Sequence, residues 1–239
     1  MTGRLDISMH DQIISTGSEE IDRSIGGGIP YGTLMLVEGG EASGKSTLVQ
    51  QFLWGALTSD EDVALYTTEN TVQSLLRQMD SLGLDITDYF LLNHLRIHPI
   101  SVSMDSVNPD VLFETLSDHM NAQKNFRATI IDSLTTFVSR AGGDQIQDFF
   151  NRCKSLCDDG QVVICTVHDS AFDNDILTRV RSVCDAYLRL QVRNAGSRLL
   201  KTIEVAKIRG ADSNTGNISA FEIEPGLGVR MIPISTARA

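Results

Sequence analysis

The sequence predicts an α/β fold: a mainly parallel central sheet with helices on both faces and an antiparallel C-terminal extension. Three observations lead there. Apolar runs of strand length at 33–37, 63–68, 127–132 and 162–167 alternate with segments of helical periodicity. These runs lack the polar alternation of a half-solvated strand, so each is read as buried on both faces, as in a parallel sheet covered by helices. From Tyr187 onward the pattern changes to apolar–polar alternation broken by turn residues, the signature of hairpins.

Taken in order, residues 13–32 predict a short helix around Glu19 to Ile25, capped by Ser18 and closed by Gly26-Gly27-Gly28, with Pro30 preventing continuation. The strand at 33–37 leads into a glycine-rich stretch and a helix beginning near Lys45. Leu48, Val49, Phe52, Leu53, Ala56 and Leu57 recur on one face of that helix. After the strand at 63–68 and Glu69-Asn70, a helix runs through Val72, Leu75, Leu76, Met79 and Leu82 and stops at Gly83. Leu95-Arg96-Ile97 predicts another strand, and Asn108-Pro109 opens a helix carrying Leu112, Leu116 and Met120. A helix starting at Asp144 links the strands at 127–132 and 162–167. Strands at 187–192 and 199–206 flank a turn at 194–197, and strands at 220–224 and 229–232 flank Gly226-Leu227-Gly228. The residues after Ile234 read as a frayed tail. With no internal repeat, low-complexity tract or linker, residues 1–239 are expected to form a single domain.

Composition narrows the function. A hydrophobic share of 41% and a charged share of 21% are those of an ordinary soluble protein. No apolar run approaches the roughly 18 residues of a membrane helix, and the N-terminus lacks the apolar core of a signal peptide, so a cytoplasmic location is expected. A formal charge of −11 argues against a nucleic-acid track, which draws its affinity from clustered Lys and Arg. Cys153, Cys157, Cys165 and Cys184 show no zinc-like pairing of C-x-x-C units. Cys153 and Cys157 stand one helical turn apart, a spacing that suits either packed reduced thiols or a metal pair.

The chemistry concentrates at Gly39-Gly40-Glu41-Ala42-Ser43-Gly44-Lys45-Ser46-Thr47, which fits G-x-x-x-x-G-K-[ST] between an apolar strand and a helix. The loop from Gly40 to Thr47 (Gly40, Glu41, Ala42, Ser43, Gly44, Lys45, Ser46, Thr47) is therefore a candidate cradle for the phosphates of ATP. Its backbone N–H groups and the helix N-terminus face the anion. Lys45 is placed to reach the β- and γ-phosphates and Ser46 to ligate Mg²⁺. Asp132, ending an unbroken apolar strand, is the candidate second acid for Mg²⁺, directly or through water; its ordinary alternative is a strand-end Asp capping the next turn.

Glu69 emerges after the next strand, at the carboxyl edge of a parallel sheet. There it either orients and deprotonates a water for attack on the γ-phosphate or simply sits at a helix N-terminus. Lys207 and Arg209, two cations on one side of a pleat, either stabilise γ-phosphate charge, on this chain or a neighbour, or form a solvated edge pair. His168 either senses the γ-phosphate or caps its loop.

With these residues in place, the sequence resembles the RecA-like ATPases of the KaiC type over most of its length. Ser15-Thr16-Gly17 through Asp22, Gly26-Gly27-Gly28-Ile29-Pro30, the phosphate loop, Glu69, Ile131-Asp132-Ser133 and Lys207-x-Arg209-Gly210 occur in the KaiC order. More narrowly, Val49-Gln50-Gln51-Phe52, residues 67–72 and Gln78-Met79-Asp80-Ser81-Leu82 look like the FlaH (ArlH) family, the ATP-binding components of the archaeal flagellum (archaellum) motor. The resemblance implies a RecA/KaiC-like P-loop fold and a homo-oligomeric ring. It also implies docking beneath the membrane with the motor ATPase FlaI and the platform FlaJ, and nucleotide-controlled assembly. By the same resemblance Lys207 and Arg209 act across a subunit interface. KaiC-type sites usually carry two adjacent glutamates after the second strand, and here the second is Asn70, which favours weak turnover. Ser182 falls near the position where KaiC phosphorylates itself, but Arg181 and Cys184 break the local pattern. A KaiC-like ATPase or autokinase of another pathway is the alternative.

Overall fold

The computed structural model describes residues 13–101, 109–195, 198–210 and 217–232. Asn108, Gly196, Ser197 and the tail after Ile234 lie outside them. The first described elements are a small antiparallel pair, β1 (Ile13–Ile14) and β2 (Ile29–Pro30), with helix α1 (Glu19–Ser24) between them. The Ser18 hydroxyl caps α1 by accepting from Ile21 N–H, as its residue type predicts. The glycines that follow take φ of +93°, +115° and +121° at 26, 27 and 28, values that only residues without a Cβ adopt readily.

Strands and helices then alternate, with a second helix inserted twice (α4 and α6): β3 (Leu34–Gly39), α2 (Lys45–Thr58), β4 (Val63–Thr67), α3 (Val72–Ser81), α4 (Thr87–Leu91), β5 (Leu95–Pro99), α5 (Pro109–Ala122), β6 (Ala128–Asp132), α6 (Thr135–Val138), α7 (Gly143–Asp158), β7 (Val162–His168) and α8 (Asn174–Val183). β8 (Ala186–Ala195), β9 (Arg198–Ile208), β10 (Ile218–Glu224) and β11 (Gly228–Ile232) complete a nine-stranded sheet ordered β11-β10-β9-β8-β3-β7-β6-β4-β5. The six strands from β8 to β5 are parallel, and β9, β10 and β11 extend the sheet in antiparallel fashion.

Strand periodicity divides the buried side chains between two cores. Met35 and Val37 of β3 and Ile164 of β7 face α1, α2 and α3, whereas Leu34, Leu36, Val163 and Cys165 face α5, α6, α7 and α8. That two-sided burial is why these strands read as continuous apolar runs. The α7 helix begins at Gly143, one residue before the expected Asp144, because Gln145 Oε1 accepts from Gly142 N–H and sets the cap there. The β1–β2 pair and helices α4, α6 and α8 were not expected. Helix α8 carried a usable signal: Leu177 and Val180 are buried and Ile176 and Val183 pack beside them, all at helical spacing.

Candidate functional site

The carboxyl ends of β3, β7, β6 and β4 meet at one edge of the sheet, where the order reverses around β3. Gly39, Asp132 and His168 end β3, β6 and β7, and Glu69 follows β4. In open parallel sheets such a reversal leaves a crevice for a ligand. Here a cavity of ≈ 330 Å³ is lined by Glu41, Ala42, Ser43, Gly44, Lys45, Ser46 and Thr47, together with Glu69, His168 and Ile223.

The loop is shaped by residues that must be small. An added Cβ on Gly39 would lie 2.6 Å from Ser43 Oγ and 2.7 Å from the Leu190 carbonyl oxygen. Gly44 holds φ +94° as the residue before α2, with the Phe221 ring 3.0 Å from where its Cβ would be. Lys45 Nζ donates to the carbonyls of Gly39 (2.7 Å) and Gly40 (2.8 Å), which keeps the ammonium inside the loop. Burial holds the Lys45 pKa below its ordinary value, against the pull of four carboxylates, Asp132, Glu69, Asp169 and Glu41.

Ser46 and Asp132 come together as a pair. Ser46 Oγ lies 3.2 Å from Asp132 Oδ1, which also accepts from Thr166 Oγ1 at 2.7 Å. Asp132 is 4% exposed, and burial raises its pKa above the ordinary carboxylate value. A hydroxyl and a carboxylate so placed beside a phosphate loop are a fitting ligand pair for Mg²⁺. Ser43 Oγ, buried and without a hydrogen-bond partner among the described residues, is a further group that suits an incoming anion. The donors and the open space therefore fit a magnesium nucleotide.

Glu69 is exposed, lines the cavity, and makes no side-chain hydrogen bond among the described residues. Asn70 turns away: its Oδ1 accepts from Ser74 Oγ at the start of α3. His168 Nδ1 sits 2.8 Å from Ser170 Oγ and 3.0 Å from Asp169 Oδ1.

The same shape occurs in known proteins. The family model described as "ATPase: KaiC" matches residues 14–236. The archaeal flagellar ATP-binding protein FlaH of Sulfolobus acidocaldarius is 33% identical over 229 residues, covering 95% of this chain and 100% of that protein. The chain belongs to the KaiC family, in its FlaH branch. The flagellar accessory protein FlaH of Methanocaldococcus jannaschii superposes with a TM-score of 0.85 at 23% identity, covering 93% of this chain and 100% of the other. A KaiC-like protein of Pyrococcus horikoshii OT3 gives 0.75 at 22% identity, covering 93% and 99%. Both likenesses speak for the fold.

In this FlaH-family chain the structure does not bring Lys207 and Arg209 to the phosphate loop. β9 pairs Lys207 with Tyr187, whose neighbour in β3 is Leu36, so the two cations stand toward the opposite end of the sheet from Gly39. Lys207 Nζ donates to the carbonyls of Arg181 (3.1 Å) and Cys184, and Arg209 Nη1 lies 3.1 Å from Asp185 Oδ1. Ser182, at the end of α8, shares that edge: its carbonyl accepts from Arg209 Nη2 at 3.4 Å.

Sequence reasoning missed Thr166, Asp169 and Ile223. Thr166 carried a usable signal, a polar residue inside the apolar run Val162–His168. It also missed Glu38, which is buried and pairs with Arg181 Nη2 at 2.8 Å while accepting from the Tyr187 hydroxyl. Among the described residues no group of three or more His, Cys, Asp or Glu is placed to hold a metal ion by itself.

Proposed function

We propose that the chain is an ATP-binding regulatory component of an archaellum motor. It holds Mg-ATP at Gly40 to Thr47, with Ser46 and Asp132 on the metal and Glu69 facing the γ-phosphate. The observation that carries the reading is the convergence of a lysine-bearing phosphate loop with the Ser46–Asp132 pair at 3.2 Å. Four carboxylates, Asp132, Glu69, Asp169 and Glu41, act on the one ammonium of Lys45, a charge balance that would favour a metal-bound over a bare triphosphate. Mg²⁺ held by Ser46 and Asp132 would neutralise phosphate charge.

In this reading the nucleotide state controls self-association and docking to the motor ATPase FlaI and the membrane platform FlaJ, on the cytoplasmic side. No helix among the described residues is long and apolar enough to cross a membrane, which suits attachment through such partners. Lys207 and Arg209, standing away from their own loop, act on a neighbour's nucleotide in a homo-oligomeric ring. Hydrolysis is weak or absent, because Asn70 replaces one carboxylate and its side chain is engaged with Ser74.

A second reading, a KaiC-like ATPase or autokinase, draws on Glu69, whose unengaged carboxylate lines the cavity. Light scattering with and without Mg-ATP, paired with phosphate release, separates the two. Nucleotide-dependent assembly with negligible release supports the regulatory reading. Sustained release that is lost in Glu69→Gln, or phosphate on Ser182, supports the second. No assembly and no release contradicts both.

A further inference from the structure

A separate cavity of ≈ 240 Å³ opens on the face of the sheet that α5, α6, α7 and α8 cover, and it shares no lining residue with the phosphate cavity. Parallel pairing sets Tyr66 of β4 beside His98 of β5, and their rings stack with centroids 4.8 Å apart. Helix α5 lays Leu112, Leu116 and His119 along one face at helical spacing, and Phe137 of α6 completes the wall. The His119 ring stands edge-on to His98 at 4.7 Å. Four rings and three aliphatic side chains, the third being Ile100, therefore surround the space, with the Thr115 hydroxyl beside them.

Three properties of this wall define what it can hold. Its volume exceeds the about 150 Å³ in which an apolar protein cavity binds benzene, so one ring with a small substituent fits. No Asp, Glu, Lys or Arg lines it, so a charged molecule would lose its hydration and gain no partner. The polar groups are nearly settled among themselves. The Tyr66 hydroxyl and His119 Nδ1 meet at 2.7 Å, whereas His98 Nε2 is buried with no hydrogen-bond partner among the described residues. Burial, then His119 and Arg96, holds the His98 pKa below 6.5, so at neutral pH the ring offers a donor or an acceptor without charge. A hydroxyl can answer either. A water molecule needs two to four polar partners, and a wall of rings and aliphatic chains does not provide them.

We infer that this cavity is a binding site for a second ligand, a small uncharged aromatic molecule carrying one hydroxyl group. Its ring packs against Tyr66, Phe137 and the two imidazoles, and its hydroxyl pairs with His98. The site adjoins the nucleotide edge of the sheet without being part of it: Tyr66 pairs with Ile131, the residue before Asp132.

The test is a ligand-detected NMR titration of the full chain with phenol, toluene and benzoate at neutral pH. Phenol is expected to bind saturably, and benzoate at least about tenfold more weakly. His98→Phe keeps the ring and removes the polar atom. It is expected to weaken phenol by about tenfold while toluene stays within about twofold, which also reports an intact cavity. Thr115→Trp, at an exposed position of α5 on the cavity wall, should fill the space and abolish binding of both. Absence of saturable phenol binding overturns the proposal, as does phenol affinity unchanged in Thr115→Trp. Equal weakening of phenol and toluene in folded His98→Phe refutes the hydroxyl contact and with it the assigned ligand. Simple competition between phenol and Mg-ATP would put the probe in the phosphate cavity and overturn the second site.

Discussion

Replacing Gly39 by alanine tests how tightly the phosphate loop is built, and Gly40→Ala is its natural control. Neither glycine has a positive φ, so both substitutions act through space alone. At Gly39 the new methyl would meet Ser43 Oγ at 2.6 Å and the Leu190 carbonyl oxygen at 2.7 Å; the latter is backbone of the adjacent strand and has no rotamer to change. The loop must move, and overpacking of this kind costs about 1–3 kcal/mol. For a chain of this size that is roughly 2–4 °C of Tm per kcal/mol. The Gly39 carbonyl also accepts from Lys45 Nζ, so the displacement reaches the group proposed for the β- and γ-phosphates, and ATP affinity is expected to fall by more than about tenfold. At Gly40 the nearest atom the methyl meets is Asp169 Oδ2, at 3.3 Å, the far end of a side chain 52% exposed that can give by a few tenths of an ångström. Gly40→Ala should therefore change stability by less than about 0.5 kcal/mol. Urea unfolding of the two variants checks this, and equal destabilisation of both would refute the steric argument.

Arg181→Ala strips the cation from Glu38, whose side chain is 6% exposed, and should cost about 3 kcal/mol in urea unfolding, most of it recovered by adding Glu38→Gln. Burial, His119 and Arg96 hold the His98 pKa below its ordinary 6.5. The unfolded chain therefore binds the extra proton first, and stability is lost as pH falls below the unfolded value toward the depressed one. Stability measured from about pH 7 to about pH 5 should drop less in His98→Phe, which keeps a ring against Tyr66. Cys153, Cys157, Cys165 and Cys184 are all buried, and burial pushes the thiols of Cys153, Cys157 and Cys184 up. A thiol reagent should label none of the four in the native chain and all four in denaturant.

What the sequence revealed depended on how local the physics was. The phosphate loop was legible because its chemistry is contiguous, and Asp132 because a polar residue ending a buried strand is conspicuous. The short helices were not: α4 spans only Thr87–Leu91, less than two turns, and shows no period. Ile223 reads as an ordinary inward residue of an alternating strand, and only the placement of β10 beside α2 gives it a cavity to face. The remoteness of Lys207 and Arg209 from the loop depended on the long-range pairing of β8 with β9, with its register shift at Tyr187/Leu188, which no local pattern encodes. The Glu38–Arg181 pair joins residues 143 positions apart and was invisible for the same reason.

The central claim, that this loop holds Mg-ATP, is tested most directly by titrating Mg-ATP into the unaltered chain and Lys45→Ala under identical conditions. Saturable binding by the first and none by the second is the predicted result. Equal affinity in both, with Lys45→Ala still folded, would contradict the account.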